Sequence, residues 1–204
     1  TQNQFLRVDR QSSNSKKTKA SILIPTKNNF ECLKTCIDSI FDKTSPNLFE
    51  LIVIDNQTTD SKSLSYLSEI KKIINCRVLE YNYDFNYSAI NNFAAKHAKE
   101  EVLVFLNDDT EIISDVWLQE LISQAIRPEI GAVGAKLFYP DGTIQHAGII
   151  LGYCRIAGET MKGLPNNHPG QMQRANLTHN VSAITGACLA LEKKKFVQVK
   201  GFDS

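Results

Sequence analysis

The residues best suited to chemistry form one cluster, Asn107-Asp108-Asp109-Thr110-Glu111, directly after the apolar run Val102-Leu103-Val104-Phe105-Leu106. Two carboxylates about 4 Å apart repel by roughly 4 kcal/mol at an effective dielectric of about 20. A divalent cation offsets that cost. Mg²⁺ and Mn²⁺ take oxygen ligands in octahedral arrays, commonly one or two carboxylates with substrate phosphates completing the set. In extended geometry Asn107 and Asp109 project to one side and Asp108 to the other. The competing explanation is an acidic helix N-terminus. Asp115 is better placed to cap the helix containing Trp117, which leaves Asp108 and Asp109 to a metal site.

Two further polar clusters follow apolar runs: Thr26-Lys27-Asn28 after Ala20–Pro25, and Asp55-Asn56 after Leu51–Ile54. Asp55 can accept hydrogen bonds from a base N–H or a ribose hydroxyl, or it can simply cap a turn. Pro25 and Thr26 leave backbone groups free to meet a base edge. His146, in Gln145-His146-Ala147-Gly148, is a candidate to line the site, since a buried strand seldom needs an imidazole. His97 sits on a helix face and is expected to be structural. Thr185-Gly186-Ala187-Cys188 lies in an apolar run, where the glycine allows close backbone approach to a ligand. Cys188 has no evident partner base. No GxGxxG follows the first strand and no GxxxxGK[ST] occurs; Gly131–Lys136 only echoes such a loop.

These residues need elements to position them. Ala20–Ile24, Leu51–Ile54, Arg77–Tyr81 and Val102–Leu106 have the length and apolarity of buried strands. Between them, Leu33, Ile37, Ile40 and Phe41, then Leu64, Leu67 and Ile70, then Ile90, Phe93, Ala94 and His97 recur at helical spacing. Asn28 or Asn29 is expected to cap the first helix and Asp60 the second. A fourth helix carries Trp117, Leu121, Ile122 and Ala125 and ends near Pro128. The β-α-β-α-β-α-β pattern predicts a mostly parallel sheet with helices on both faces, so all three polar clusters share one rim. Ligands of open α/β sheets bind outside the carboxyl ends of the strands. Gly131–Phe138 and Thr143–Leu151 are expected strands joined by the turn Tyr139-Pro140-Asp141-Gly142. Residues 152–179 look loop-like, Val181–Leu191 is apolar, and a short basic segment leads to Gly201-Phe202-Asp203-Ser204.

At 204 residues, 42% hydrophobic, the chain suits one domain with a sizeable core. A net charge of +1 gives no support to a nucleic-acid partner. No apolar run approaches the roughly 18 residues that span a bilayer. Residues 1–19 are polar and aperiodic, the expectation being a disordered lead-in or linker in which Lys16, Lys17 and Lys19 form a solvated tail. Cys32, Cys36, Cys76, Cys154 and Cys188 are scattered, as expected of reduced, mostly buried thiols in a cytoplasmic protein.

Six segments, in order, resemble the family 2 glycosyltransferases of GT-A fold, and in particular the bacterial enzymes of O-antigen, rhamnan and related surface-polysaccharide assembly. They are Ser21-Ile22-Leu23-Ile24-Pro25-Thr26-Lys27-Asn28, Ile52-Val53-Ile54-Asp55-Asn56, Phe85-Asn86-Tyr87-Ser88-Ala89-Ile90-Asn91-Asn92, Leu106–Glu111, Gln145–Gly148 and Thr185–Cys188. The resemblance covers about residues 20–204 and implies an inverting transferase that uses a nucleotide-diphospho-sugar, UDP- or dTDP-linked, with Mn²⁺ or Mg²⁺. It implies that Pro25, Thr26 and Asp55 contact base and ribose, and that Asn91 or Asn92 lies near the diphosphate. Asn107-Asp108-Asp109 would stand for the DxD motif, with Asp109 the metal ligand. His146, Thr185, Gly186 and Ala187 would line the donor-sugar and acceptor side.

In this family the chain continues past the Gly-Phe-Asp segment into an acidic stretch carrying the catalytic base. The base is therefore expected beyond Ser204, and residues 20–204 are expected to be a GT-A domain incomplete at its C-terminus. The implied acceptor is a saccharide or lipid-linked saccharide, with peripheral association at the inner face of the cell membrane among the expectations. Two other classes share parts of this pattern. A non-catalytic nucleotide- or sugar-binding module accommodates the missing base. A nucleotidyltransferase would need a Gly-rich, Lys/Arg-containing loop after strand one, where this chain has Pro25-Thr26-Lys27-Asn28.

Overall fold

The computed structural model describes residues 18–153 and 155–204. Most of the expected lead-in, including Lys16 and Lys17, lies outside the described residues, as does Cys154. The described residues form two compact units, one comprising 18–133 and 186–204, the other 134–185.

The larger unit alternates strand and helix: β1 (Ala20–Thr26), α1 (Phe30–Lys43), β2 (Phe49–Asp55), α2 (Ser61–Ile70), β3 (Cys76–Glu80), α3 (Tyr87–His97), β4 (Val102–Leu106) and α4 (Trp117–Ala125). Then come β5 (Val133–Gly134) and, in the smaller unit, β6 (Leu137–Phe138), β7 (Ile144–His146), β8 (Ile149–Leu151) and β9 (Ala157–Glu159). The chain closes with β10 (Cys188–Glu192) and α5 (Lys193–Gln198). The main sheet has the order β3-β2-β1-β4-β10-β5. β1 pairs in parallel with both β2 and β4, β2 pairs in parallel with β3, and β10 runs antiparallel to β4. The mostly parallel α/β sheet expected from the repeat pattern is therefore present.

Both faces of that sheet are covered. Leu23, Ile52, Ile54, Leu103 and Phe105 pack in one cluster with Ile90, Ala94, Ala95 and Ala98 around α3 and with Phe196 of α5. Their strand neighbours Ile22, Ile24, Leu51, Val53 and Val104 point the other way by the two-residue period, and they too are 0% exposed. On α1 the buried residues are Leu33, Cys36, Ile37 and Ile40, one helical stripe. Continuous apolar runs, rather than alternating ones, are what a strand covered on both faces requires.

Several local expectations are corrected. Asn29 stands at the N-cap of α1 but makes no side-chain cap bond. Asp115 does not cap the Trp117 helix: Val116 holds that position, and Asp115 pairs with Lys43 at 3.4 Å. Leu64 is 42% exposed, and the core side of α2 is made by Tyr66, Leu67 and Ile70. The expected long strands over residues 131–151 are broken into short pieces. Gly148, at φ +103°, separates β7 from β8, a conformation that turns the chain instead of extending it. Within residues 152–179, β9 pairs antiparallel with β8, so the segment is not all loop. Asp60 caps α2 as expected, its Oδ2 accepting from the Ser63 N–H at 2.7 Å.

The end of the sheet opposite the polar rim is held by Glu50, near the start of β2. It is 8% exposed and accepts hydrogen bonds from Ser21 Oγ (2.6 Å), the Lys99 N–H (2.5 Å) and Arg77 Nη2 (2.8 Å). Burial pushes its carboxyl up, but these three partners together bring it below the usual carboxylate value. A depressed carboxylate contributes stability above its unfolded pKa and loses it as the pH falls through the folded one. Glu50→Ala is expected to lower the unfolding free energy in urea by about 2 kcal/mol at pH 7. The difference from the parent chain should shrink on acidification below the ordinary carboxylate range.

Candidate functional site

The parallel register sets Thr26 directly beside Asp55 at the ends of β1 and β2. On the other side of β1, Thr26 Oγ1 donates to Asp108 Oδ2 at 2.6 Å. Thr26 and Asp55, expected to meet a nucleotide, and Asp108 of the acidic cluster thus lie on one rim, with Pro25 one step back in β1 opposite Ile54. Asp55 Oδ1 accepts from the Thr58 N–H at 2.9 Å. The turn-capping role is therefore real, and it occupies one of the two carboxylate oxygens.

β4 ends at Leu106, and the next residues are fixed largely through backbone. The Asn107 N–H donates to Ala187 O at 3.0 Å, and Asn107 O accepts from Thr110 Oγ1 at 2.8 Å. Asp108 is half-buried, and burial raises its carboxyl above the ordinary value; hydrogen bonds from Thr26 and Asn29 act against this, and the charge of Asp109 adds to it. Asp109 is exposed. With Glu31, Cys32, Thr35, Thr110 and Glu111 it lines a shallow cavity of about 210 Å³ beside α1. Below the cluster, burial pushes the Cys36 thiol up to about 12, so it is a protonated, packed side chain.

The donor set suits a hard divalent cation of a particular kind. Among the described residues no group of three or more His, Cys, Asp or Glu side chains is arranged to hold an ion. One or two carboxylates, with the remaining ligands drawn from water and phosphate, is the ordinary way Mg²⁺ is bound at phosphate sites. The raised carboxyl of Asp108 beside exposed Asp109 is the electrostatic situation such an ion relieves.

Other expected site residues already have partners within the fold. Asn91 is 0% exposed, and its Nδ2 donates to Tyr87 O at 2.9 Å. Asn92 instead clasps the C-terminal segment: its Nδ2 donates to Phe202 O at 2.8 Å and its Oδ1 accepts the Phe202 N–H at 2.9 Å. Gly201, at φ +81°, sits so close to Asn92 Oδ1 that a Cβ would collide with it. Gly186 is similarly required, because the hydroxyl of Tyr87 occupies the space of a Cβ while donating to Gly186 O at 2.9 Å.

In the smaller unit His146 is 2% exposed and works as a clamp. Its Nε2 accepts the N–H groups of Gly148 (3.2 Å) and Thr185 (3.3 Å), leaving Nδ1 to donate to Glu159 Oε1 at 2.5 Å. The reason a strand carries an imidazole here is to satisfy backbone donors where Gly148 breaks it. Asn28 and Asn92 take roles other than those expected of them, and the contribution of Glu159 is missed from the sequence because no local pattern marks its pairing with His146.

The sequence matches the family described as Glycosyl transferase family 2 over residues 21–199. It is 39% identical over 188 residues to the O-antigen biosynthesis protein RfbC of Myxococcus xanthus, covering 91% of this chain and 14% of that protein. A second relative, the uncharacterized protein y4gI of Sinorhizobium fredii, is 40% identical over 184 residues, covering 90% of this chain and 20% of its own length. The chain thus spans a fifth or less of these relatives. Among solved structures, GalNAc-T7 with UDP, GalNAc and Mn²⁺ superposes with a TM-score of 0.69 at 16% identity, covering 97% of this chain and 40% of that one. At that identity the likeness concerns the fold alone, and the fold is that of the GT-A glycosyltransferases. The family match spans most of the chain, and the chain belongs to glycosyl transferase family 2.

Proposed function

We propose that this chain carries the donor-nucleotide part of an inverting glycosyltransferase, which moves a sugar from a nucleotide-diphospho-sugar to a saccharide or lipid-linked saccharide acceptor during surface-polysaccharide assembly. The observation that carries the proposal is the meeting of Thr26, Asp55 and Asp108 at adjacent strand ends. Thr26 and Asp55 offer a backbone edge and a carboxylate to a base or ribose. Asp108 is tied to Thr26, and its chain neighbour Asp109 presents an exposed carboxylate. The name of the Myxococcus relative supports a surface polysaccharide as the product.

Asp109, with Asp108 beside it, would hold Mn²⁺ or Mg²⁺. When bound, the ion would neutralise charge on the donor diphosphate as it becomes the leaving group. The chain's own residues bind and orient the nucleotide, and the backbone bonds of Asn107 keep the acidic turn from shifting away from the strand end.

Calorimetric titration with UDP, dTDP and GDP, each with and without Mn²⁺, tests the donor site. At least one nucleotide should bind in a metal-dependent manner, and Asp109→Ala should weaken that binding by about tenfold or more, equivalent to about 1.4 kcal/mol. No binding of any of the three would refute the donor site. Binding that ignores both metal and Asp109 would leave a simple nucleotide-binding module.

Asp108 gives an independent test with its own sign. A carboxyl whose folded pKa is raised costs stability that builds up as the pH rises from its unfolded to its folded pKa, and costs nothing below the unfolded value. Asp108→Asn keeps an acceptor for Thr26 without the charge. The variant should therefore melt higher than the parent at pH 7 in the absence of metal and nucleotide, and the gap should close toward acid pH. The same variant should bind nucleotide and Mn²⁺ more weakly than the parent.

A further inference from the structure

Asn28 is exposed and left-handed at φ +52°, yet its side chain is fully engaged. Its Oδ1 accepts the N–H groups of Thr59 (2.7 Å) and Asp60 (3.0 Å), and its Nδ2 donates to Thr59 Oγ1 at 3.2 Å. Its own N–H donates to Thr58 Oγ1 at 3.4 Å. All of these bonds cross from the β1–α1 loop to the β2–α2 loop. The second loop is the one whose Thr58 N–H fixes the Asp55 carboxylate and whose Asp60 caps α2.

Solvent-exposed hydrogen bonds compete with water and contribute little to global stability. Asn also tolerates the left-handed region better than other side chains with a Cβ. A side chain that buries nothing, accepts an uncommon backbone conformation and ties one loop to its neighbour at several atoms is a poor device for stability. It is a good one for fixing the spacing between two loops. The sheet already sets Thr26 beside Asp55; what Asn28 fixes is the turn whose Thr58 N–H orients the Asp55 carboxylate, a group offered to a nucleoside.

We infer that Asn28 is a positioning residue for the donor nucleotide, holding the Thr58–Asp60 turn so that the Asp55 carboxylate keeps the orientation a nucleoside requires. The inference rests on the donor-site proposal above. Asn28 acts through the neighbouring loop, since its amide oxygen is already committed to two backbone donors.

The test uses Asn28→Gly, which permits the positive φ and removes the side chain, and Asn28→Asp, which keeps an oxygen for both N–H groups. Affinity for UDP, dTDP and GDP with Mn²⁺ would be measured by calorimetry. Amide exchange at Thr59 and Asp60 would be followed in the nucleotide-free protein. Asn28→Gly should bind about tenfold more weakly, as expected when a binding group is displaced by a fraction of an ångström to an ångström. Its Thr59 and Asp60 amides should exchange faster, with the thermal midpoint nearly unchanged. Asn28→Asp should return affinity to within about threefold of the parent. If the parent binds nucleotide and Asn28→Gly binds equally well, or if Asn28→Asp is no better than Asn28→Gly, the inference is overturned while the donor site stands. If Thr59 and Asp60 exchange unchanged, there is no clasp to act through. If the parent binds none of the nucleotides, the donor site and this inference fall together.

Discussion

Strand β1 is hydrogen-bonded in parallel to β2 along one edge and to β4 along the other, in a register that starts with Ala20 beside both Phe49 and Val102. Three strands running the same way from a common start must end together. Their first polar residues, Thr26, Asp55 and the Asn107–Asp109 turn, are delivered to one rim by that constraint alone. The Thr26–Asp108 hydrogen bond then locks the end of β1 to the turn after β4. Parallel neighbours need a crossover each, so the helices that cover the two faces follow from the same pairing.

The two ends of this sheet treat carboxylates in opposite ways. At the far end, Glu50 is nearly buried but surrounded by donors from Ser21, Lys99 and Arg77, and its ionised form is favoured. At the rim, Asp108 is half-buried with an acidic neighbour, and its ionised form is disfavoured. One carboxylate has its partners within the fold, and the other has charge left to be answered from outside. That asymmetry is a physical reason to place a ligand at the rim and none at the base.

Much of this was legible in the chain itself. Apolar runs such as Leu51–Ile54 and Val102–Leu106 can only be strands covered on both faces, and the polar residue after each run marks where the core stops. The sites of Thr26, Asp55 and Asp108 follow from that without any knowledge of tertiary contacts. What escaped the sequence is what depends on distant or irregular backbone. The imidazole of His146 stands out in a buried strand, but that its ring serves the backbone of Gly148 and Thr185 depends on the irregular chain there. Asn91 and Asn92 are adjacent in α3, and which of them is buried and which holds Phe202 is decided by the helix phase. Asn28 or Asn29 was the expected cap of α1; Asn29 holds that position without a side-chain bond, and the left-handed Asn28 reaches across to the next loop.

The central claim is that a nucleoside diphosphate binds at the strand ends around Thr26, Asp55 and Asp109. Backbone amide shifts, followed by NMR as UDP, dTDP or GDP is added in the presence of Mg²⁺, test it most directly. Changes concentrated at residues 25–29, 55–60 and 107–110, together with small effects on Glu50 and its partners, are the predicted result. Shifts that spare these three segments, or that gather at residues 134–185 instead, would contradict the account.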